Sequence, residues 1–273
     1  HPNPLITQPG HEEGAAVSRR TALALEVVFP LVVVGVIWWS SLESGTYYLP
    51  ALPTVMESFN NTWLSGHAGT DLLPSLARLA AGLLLATVGG VTVGLLLGRV
   101  PRLARACSPV IEFCRALPAP VIIPAMILVL GIDDIAKIAL IAFGCVWPVL
   151  LTTIDGVRGI DPLQIETARA YGLTRADTLR HIIVPAATPQ IVAGVRTALS
   201  IGIILMVISE MIASANGVGY FVLESQRTFA MPEMWAGIIM LGLLGFLLNG
   251  ALALVEAHVL AWYHATRTRS STS

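Results

Sequence analysis

Four ionisable side chains, Arg115, Arg196, Glu210 and Glu256, fall inside stretches otherwise built of Leu, Ile, Val, Ala and Gly, and Arg78 stands at the start of another. In hydrocarbon a charged group costs about 2.5–3.5 kcal/mol or more unless it meets an opposite charge, water or a polar ligand. Such residues hold or pass something polar, or tie one helix to another. Arg115 and Arg196 can also snorkel to an interface along their aliphatic stems. Arg78 either draws an anion or anchors its helix, and Glu210 serves either a polar solute or a hydrogen bond to a neighbouring helix. Bond-making chemistry has no comparable support: no nucleophile, base and orienting group fall together, and His181 and His258 stand alone. No GxxxxGK[ST] run is present to cradle nucleotide phosphates, so the chain is not expected to hydrolyse ATP by itself. Cys107, Cys114 and Cys145 lack metal-ligand spacing and read as small apolar residues, so no metal and no catalytic residue are expected.

The elements that must position these charges are membrane spans. With 55% hydrophobic residues, 12% charged and a mean hydropathy of +0.76, the 273-residue chain is far too apolar for a soluble domain, and its partner is a lipid bilayer. A net charge of −1 with no basic run excludes a nucleic-acid partner. Residues 1–18 form a polar tail rich in Pro and Gly. The spans fall at Thr21–Ser41, Pro74–Gly98, Cys107–Gly131, Asp134–Ile154, Ile191–Ala213 and Met234–Tyr263, and 266–273 form a second tail. The third span is broken by Pro118, Pro120 and Pro124, which suit a helix buried in protein or lining a cavity. Leu117 to Pro124 is therefore either the pathway or its gate, or a kink used only for packing.

One long polar run, Asp161 to Gln190, separates the fourth and fifth spans and reads as two short helices. Asp161 caps a helix whose first position is Pro162 and whose third is Gln164, and Gly172 ends it in the left-handed conformation. Thr174, with Asp177 three residues on, starts a second helix that runs to about Val184, where Pro185 and Pro189 predict a bend. Eleven Lys and Arg, from Arg19 to Arg269, fall on the side of this handle and only three, Arg78, Lys137 and Arg227, fall opposite, which puts the handle and both termini in the cytoplasm.

Glu166-Thr167-Ala168, Gly172 after three residues, Ile182 after nine more and then Val184-Pro185 resemble the EAA loop of permease subunits in binding-protein-dependent ABC importers, with Thr167 for the usual Ala and Val184 for the usual Leu. Leu49-Pro50-Ala51-Leu52-Pro53-Thr54-Val55 and Gly217-Val218-Gly219-Tyr220 resemble stretches of the nitrate/sulfonate/taurine branch. That branch commonly carries an aromatic residue after its second proline, where this chain has Val121-Ile122-Ile123. The resemblance implies an all-α membrane protein of six transmembrane helices with a cytoplasmic coupling helix, the type I importer permease fold.

By the same resemblance the coupling helix docks on an ATPase through Ile165, Glu166, Thr167, Ala168, Arg169, Tyr171 and Gly172. Ile165 and Tyr171 would give apolar contact, Glu166 and Arg169 charge, and Ala168 and Ala170 close approach of the backbone. Leu117, Pro118, Pro120, Val121 and Glu210 are the pathway or gate candidates. The partners implied are two ATP-binding subunits that carry the ATP and Mg this chain does not bind, a second copy of the permease and an extracytoplasmic substrate-binding protein. The solute would be a small anion and the location the cell's inner membrane. An ATP-independent secondary transporter would show inverted repeats, and a membrane scaffold subunit would leave the capped handle unexplained.

Overall fold

A computed structural model describes residues 47–64 and 66–260, together with eight helical residues between 28 and 40. The expected tails, 1–18 and 266–273, and most of the expected first span lie outside the described residues. The chain divides into a unit ending at Thr54 and one beginning at Val55.

Helix α1, Leu52–Phe59, is followed by two single π-helical turns, Asn60–Leu64 and Ala68–Leu72, the second of which runs into α2, Leu73–Arg99. After Val100 the chain turns into α3, Pro101–Ala116, and breaks at Leu117 and Pro118. A 3₁₀ turn, Ala119–Ile122, and α4, Ile123–Leu130, lead off at 85° to α3. Pro101, Pro120 and Pro124 each occupy the first or second position of their helix, where a missing N–H leaves no carbonyl unpaired. Two long helices follow, α5, Asp134–Arg158, and, beyond the handle, α8, Val184–Ala213. A surface helix α9, Val218–Arg227, and then α10, Met231–Val259, complete the described chain.

Among the described residues, Ala68–Arg99, Asp134–Arg158, Arg175–Ala213 and Met231–Val259 are long and apolar enough to cross a bilayer, and the bent pair α3 and α4 makes a fifth span if counted as one.

Three helices make the core. In α2 the glycines at 82, 90, 94 and 98 face Ile141, Val149, Thr153 and Val157 of α5, every pair 59 positions apart, so the two helices run parallel. Residues of α8 pack against α5 in the opposite sense, Gly194 on Val149 and Gly202 on Cys145. Where lipid offers no hydrophobic drive, small residues let backbones approach until dispersion contacts hold them. Leu79, Ala86, Ile141, Cys145, Val149, Ala198, Leu199, Leu205, Met206 and Leu244 fill the centre of this packing.

A Cβ at Gly94 would stand 2.6 Å from that of Thr153, whereas at Gly89, five residues earlier, nothing lies within 4 Å. Gly94→Val is therefore expected to lower stability by about 1–3 kcal/mol through overpacking, and Gly89→Val to be nearly silent. Thermal unfolding of the two variants in detergent separates them, and equal midpoints would show that this face does not carry the packing.

The sequence-based bend at Pro185 is not observed. A four-residue helix α7, Arg175–Thr178, passes through a π turn, Leu179–Ile183, directly into α8, and the chain stays helical from Arg175 to Ala213. Within the π turn, Val184 N–H donates to Leu179 O. That turn accommodates the register around Pro185, which then sits at the start of α8, so the second half of the handle is the extended foot of a span.

Candidate functional site

The handle is organised by its own caps. Its first helix, α6, Pro162–Ala170, begins where Asp161 Oδ1 accepts the Leu163 N–H at 2.9 Å. It ends in a Schellman motif: Gly172, at φ +72°, donates to Arg169 O, and Leu173 N–H reaches back to Ala168 O, each at 3.0 Å. Thr174 restarts the helix, its Oγ1 accepting the Asp177 N–H at 3.2 Å and donating to the Asp177 carboxylate. Both ends of α6 are therefore fixed by bonds closed within a dozen residues.

Of the residues expected to contact an ATPase, Ile165 and Ala168 turn inward. Ala168 is 2% exposed and Ile165 joins the cluster of Val157, Ile183 and Ala187 at the feet of α5 and α8. Ile165 is half-buried, so part of its side chain secures α6 to the protein. Glu166, Thr167, Arg169 and Ala170 are exposed, and Tyr171 is 83% exposed. Leu163, which the sequence reading passed over, is 65% exposed and extends the same outward face, eight residues before Tyr171. Grooves of about 900 and 870 Å³ flank the helix. Leu163, Gln164, Thr167 and Tyr171 line one, while Ile165 and Arg169 line the other.

At the far end of the bundle lies a buried charge network. Arg78, 3% exposed, donates from Nε to Asp134 Oδ1 and from a terminal nitrogen to Glu210 Oε1, both at 2.8 Å, and also bonds the Asn216 carbonyl and side chain. Glu210 is fully buried and accepts the Ser75 hydroxyl and, at 3.0 Å, the Gly219 N–H. Ser75 Oγ in turn accepts the Val218 N–H, and Asp71 Oδ1 accepts that of Gly217. Lys137, 5% exposed, bonds Asp134 and the Ile132 carbonyl.

The two glycines of Gly217-Val218-Gly219-Tyr220 are required here by space. A Cβ on Gly217, at φ +115°, would stand 2.4 Å from the Glu210 carboxyl carbon, and one on Gly219 would stand 2.5 Å from Val207 O. The segment closes over the carboxylate and supplies it with a backbone donor. Arg78 ties its helix down: it joins α2 to α5, α8 and the 214–217 turn. A second pair ties α8 to α10, with Arg196 2.5 Å from Glu256, so Arg196 is paired and does not snorkel alone.

The proline break produces a recess of about 470 Å³ near the middle of α5 and α8, walled by Leu117, Pro120, Phe143, Trp147, Ile204 and Ile208 among others, with Arg115 at its edge. Two of the five pathway candidates, Leu117 and Pro120, line it. Pro118 and Val121 do not, Val121 being 72% exposed, and Glu210 belongs to the network at the far end.

Residues 90–260 match the family model described as the binding-protein-dependent transport system inner membrane component. The chain belongs to this family. A Bacillus subtilis (strain 168) protein named as an aliphatic sulfonates transport permease is 33% identical over 214 residues, 78% of each chain. The taurine transport system permease of Escherichia coli (strain K12) is 28% identical over 90% of this chain and 91% of its own. Among solved structures, inward facing conformations of a methionine ABC transporter superpose with a TM-score of 0.60 at 22% identity, over 69% of this chain and 94% of that one. The protein is thus an all-α permease of the binding-protein-dependent ABC importer class, built on the type I permease fold and embedded in the membrane.

The permease carries a signal for its buried network that the sequence reading did not use. Asp71, Ser75, Arg78 and Gly82 lie at i, i+4, i+7 and i+11, a polar stripe ending in a small residue on one face of an otherwise apolar helix. A stripe of that kind on a span must face protein.

Proposed function

We propose that the permease forms the translocation pathway for a small oxyanion, a sulfonate first among them, delivered by a separate substrate-binding protein and driven by an ATPase docked on α6. The observation that carries this reading is the handle. It is a helix fixed at both ends by its own caps and seated by Ile165 and Ala168, and it presents Leu163, Glu166, Thr167 and Tyr171 outward beside two open grooves. A short helix so fixed can transmit a push without melting. The sulfonate preference rests on the names of the relatives at 33% and 28% identity.

In this reading two ATP-binding subunits hold the ATP and Mg, hydrolysis resides in them, and two copies of the permease face one another around the pathway. In this reading the handle and both termini are cytoplasmic, which the excess of arginine assigned to that side supports. Nucleotide binding draws the two handles together and shifts the spans between two arrangements, an effect that depends on differential contacts in the two states.

Affinity purification of the full chain from its native membrane, followed by ATPase assay and reconstituted taurine uptake, tests the reading. A nucleotide-binding subunit should come down in equal amount, and a chain found alone would refute it. Tyr171→Ala provides a sharper test. Its ring is 83% exposed, so its loss should alter stability by no more than about 0.5 kcal/mol, yet removing an aromatic anchor from an interface costs about 1–3 kcal/mol. Co-purification of the ATPase should fall about tenfold or more while the melting temperature stays put. Undiminished co-purification would exclude this face as the contact.

A further inference from the structure

The recess behind the proline break has a composition that packing alone does not explain. Its wall is apolar apart from one charged donor, Arg115. Arg115 lies in the last turn of α3, and among the described residues it pairs with Glu112, a turn back, at 3.1 Å, with side chains 49% and 58% exposed. No acidic residue lines the recess, and Glu112 is outside its wall. Its level follows from the packing: Phe143 and Trp147 stand 9 and 13 residues into the 25-residue helix α5, so the recess sits near mid-span. An arginine is costly there unless it meets water or an anion, and an exposed i,i+3 pair offsets little of that cost.

We propose that this recess is a transit site for the transported oxyanion, with the Arg115 guanidinium supplying the charge. The inference rests on the importer reading and adds the residues that meet the solute inside the permease. A guanidinium presents several N–H groups in a plane that matches a sulfonate or carboxylate edge. An apolar wall strengthens that attraction and also suits the short alkyl body of an organosulfonate. One charge shared with Glu112 keeps the site weak, as a pathway needs if the solute is to leave.

Charge-selective labelling tests the site on the full chain with whatever subunits co-purify. Leu117→Cys places a thiol on the wall, in a background where Cys107 and Cys114 are Ala; Cys145 is fully buried. The rate with 2-sulfonatoethyl methanethiosulfonate is compared with that of its cationic trimethylammonioethyl counterpart. The anionic reagent is expected to react faster, and the ratio to fall about tenfold with Arg115→Gln, the change a nearby charge produces in a low-dielectric recess. Methanesulfonate should slow the labelling, and less so with Arg115→Gln.

A ratio that ignores Arg115, or protection that survives Arg115→Gln undiminished, overturns the proposal. If Leu117→Cys does not fold, Ile204→Cys on the opposite wall gives the same readout. The outcomes separate from those of the importer reading. Normal ATPase association with charge-blind labelling sinks only the site. Charge-selective labelling of a chain that binds no ATPase sinks the importer reading and leaves an anion site.

Discussion

Arg78→Ala is expected to destabilise the permease by about 3–5 kcal/mol, the cost of leaving a buried charge without its partner. Glu210 is fully buried and Arg78 is 3% exposed, so neither can turn to water. Without the guanidinium, the Glu210 carboxylate keeps the Ser75 hydroxyl and the Gly219 N–H but no opposite charge. Asp134 loses less, since it is 57% exposed and keeps Lys137. Glu210→Ala should cost less than Arg78→Ala in ionic terms, because Arg78 retains Asp134 and Asn216, but it strands the Gly219 N–H. The double variant Arg78→Ala/Glu210→Ala should fall short of the sum of the two by about 1–3 kcal/mol, as coupled neighbours do. Thermal unfolding in detergent across this cycle measures the term. A midpoint for Arg78→Ala within a degree or so of wild type, or strict additivity, would mean that the far end is held by apolar packing alone. The network fastens one end of α2, α5 and α8 to one another.

How much of this could be read in the sequence depended on the distance over which each feature is decided. The caps of α6 were legible because Asp161, Gly172 and Thr174 act on neighbours no more than five residues away. The membrane spans were legible because hydrocarbon permits helices and little else. The pairing of Arg78 with Glu210 spans 132 residues, and sequence separation alone offers no route to it. Arg78, Glu210 and Gly217-Val218-Gly219-Tyr220 were each visible as separate oddities, and packing makes them one object. Glycine on α2 was readable as a device for close approach, yet only the face with Gly82, Gly90, Gly94 and Gly98 meets α5, while Gly89 looks into open space. The bend expected at Pro185 failed for a local reason: a π turn is an answer to a proline that helical propensity does not include. On α6 the seven-residue motif mixed two faces, and a 3.6-residue period applied to it divides Ile165 and Ala168 from Leu163, Glu166 and Tyr171.

Gly172→Pro is expected to abolish transport while leaving insertion into the membrane unchanged. Insertion is governed by the apolar spans, and Gly172 is outside all of them. Its backbone sits at φ +72°, which proline, fixed near −65°, cannot adopt, and proline also removes the N–H that Arg169 O accepts. The end of α6 would have to unwind, releasing the Leu173 N–H from Ala168 O and changing the angle at which the chain enters the foot of α8. Space is not the issue, because nothing lies within 4 Å of a Cβ built at this position. A series of substitutions therefore isolates conformation from contact. Gly172→Asn, which tolerates the left-handed region, should transport nearly as well as wild type, and Gly172→Ala should lose about 1 kcal/mol at the cap with a partial loss of uptake. Taurine uptake by proteoliposomes, normalised to the amount of inserted protein, reads out the order Gly, Asn, Ala, Pro. Full uptake by the Pro variant would show that a rigid end to α6 is not what couples the ATPase to the pathway, and a loss in Asn as deep as in Pro would shift the requirement from backbone conformation to a close contact with the partner at that residue.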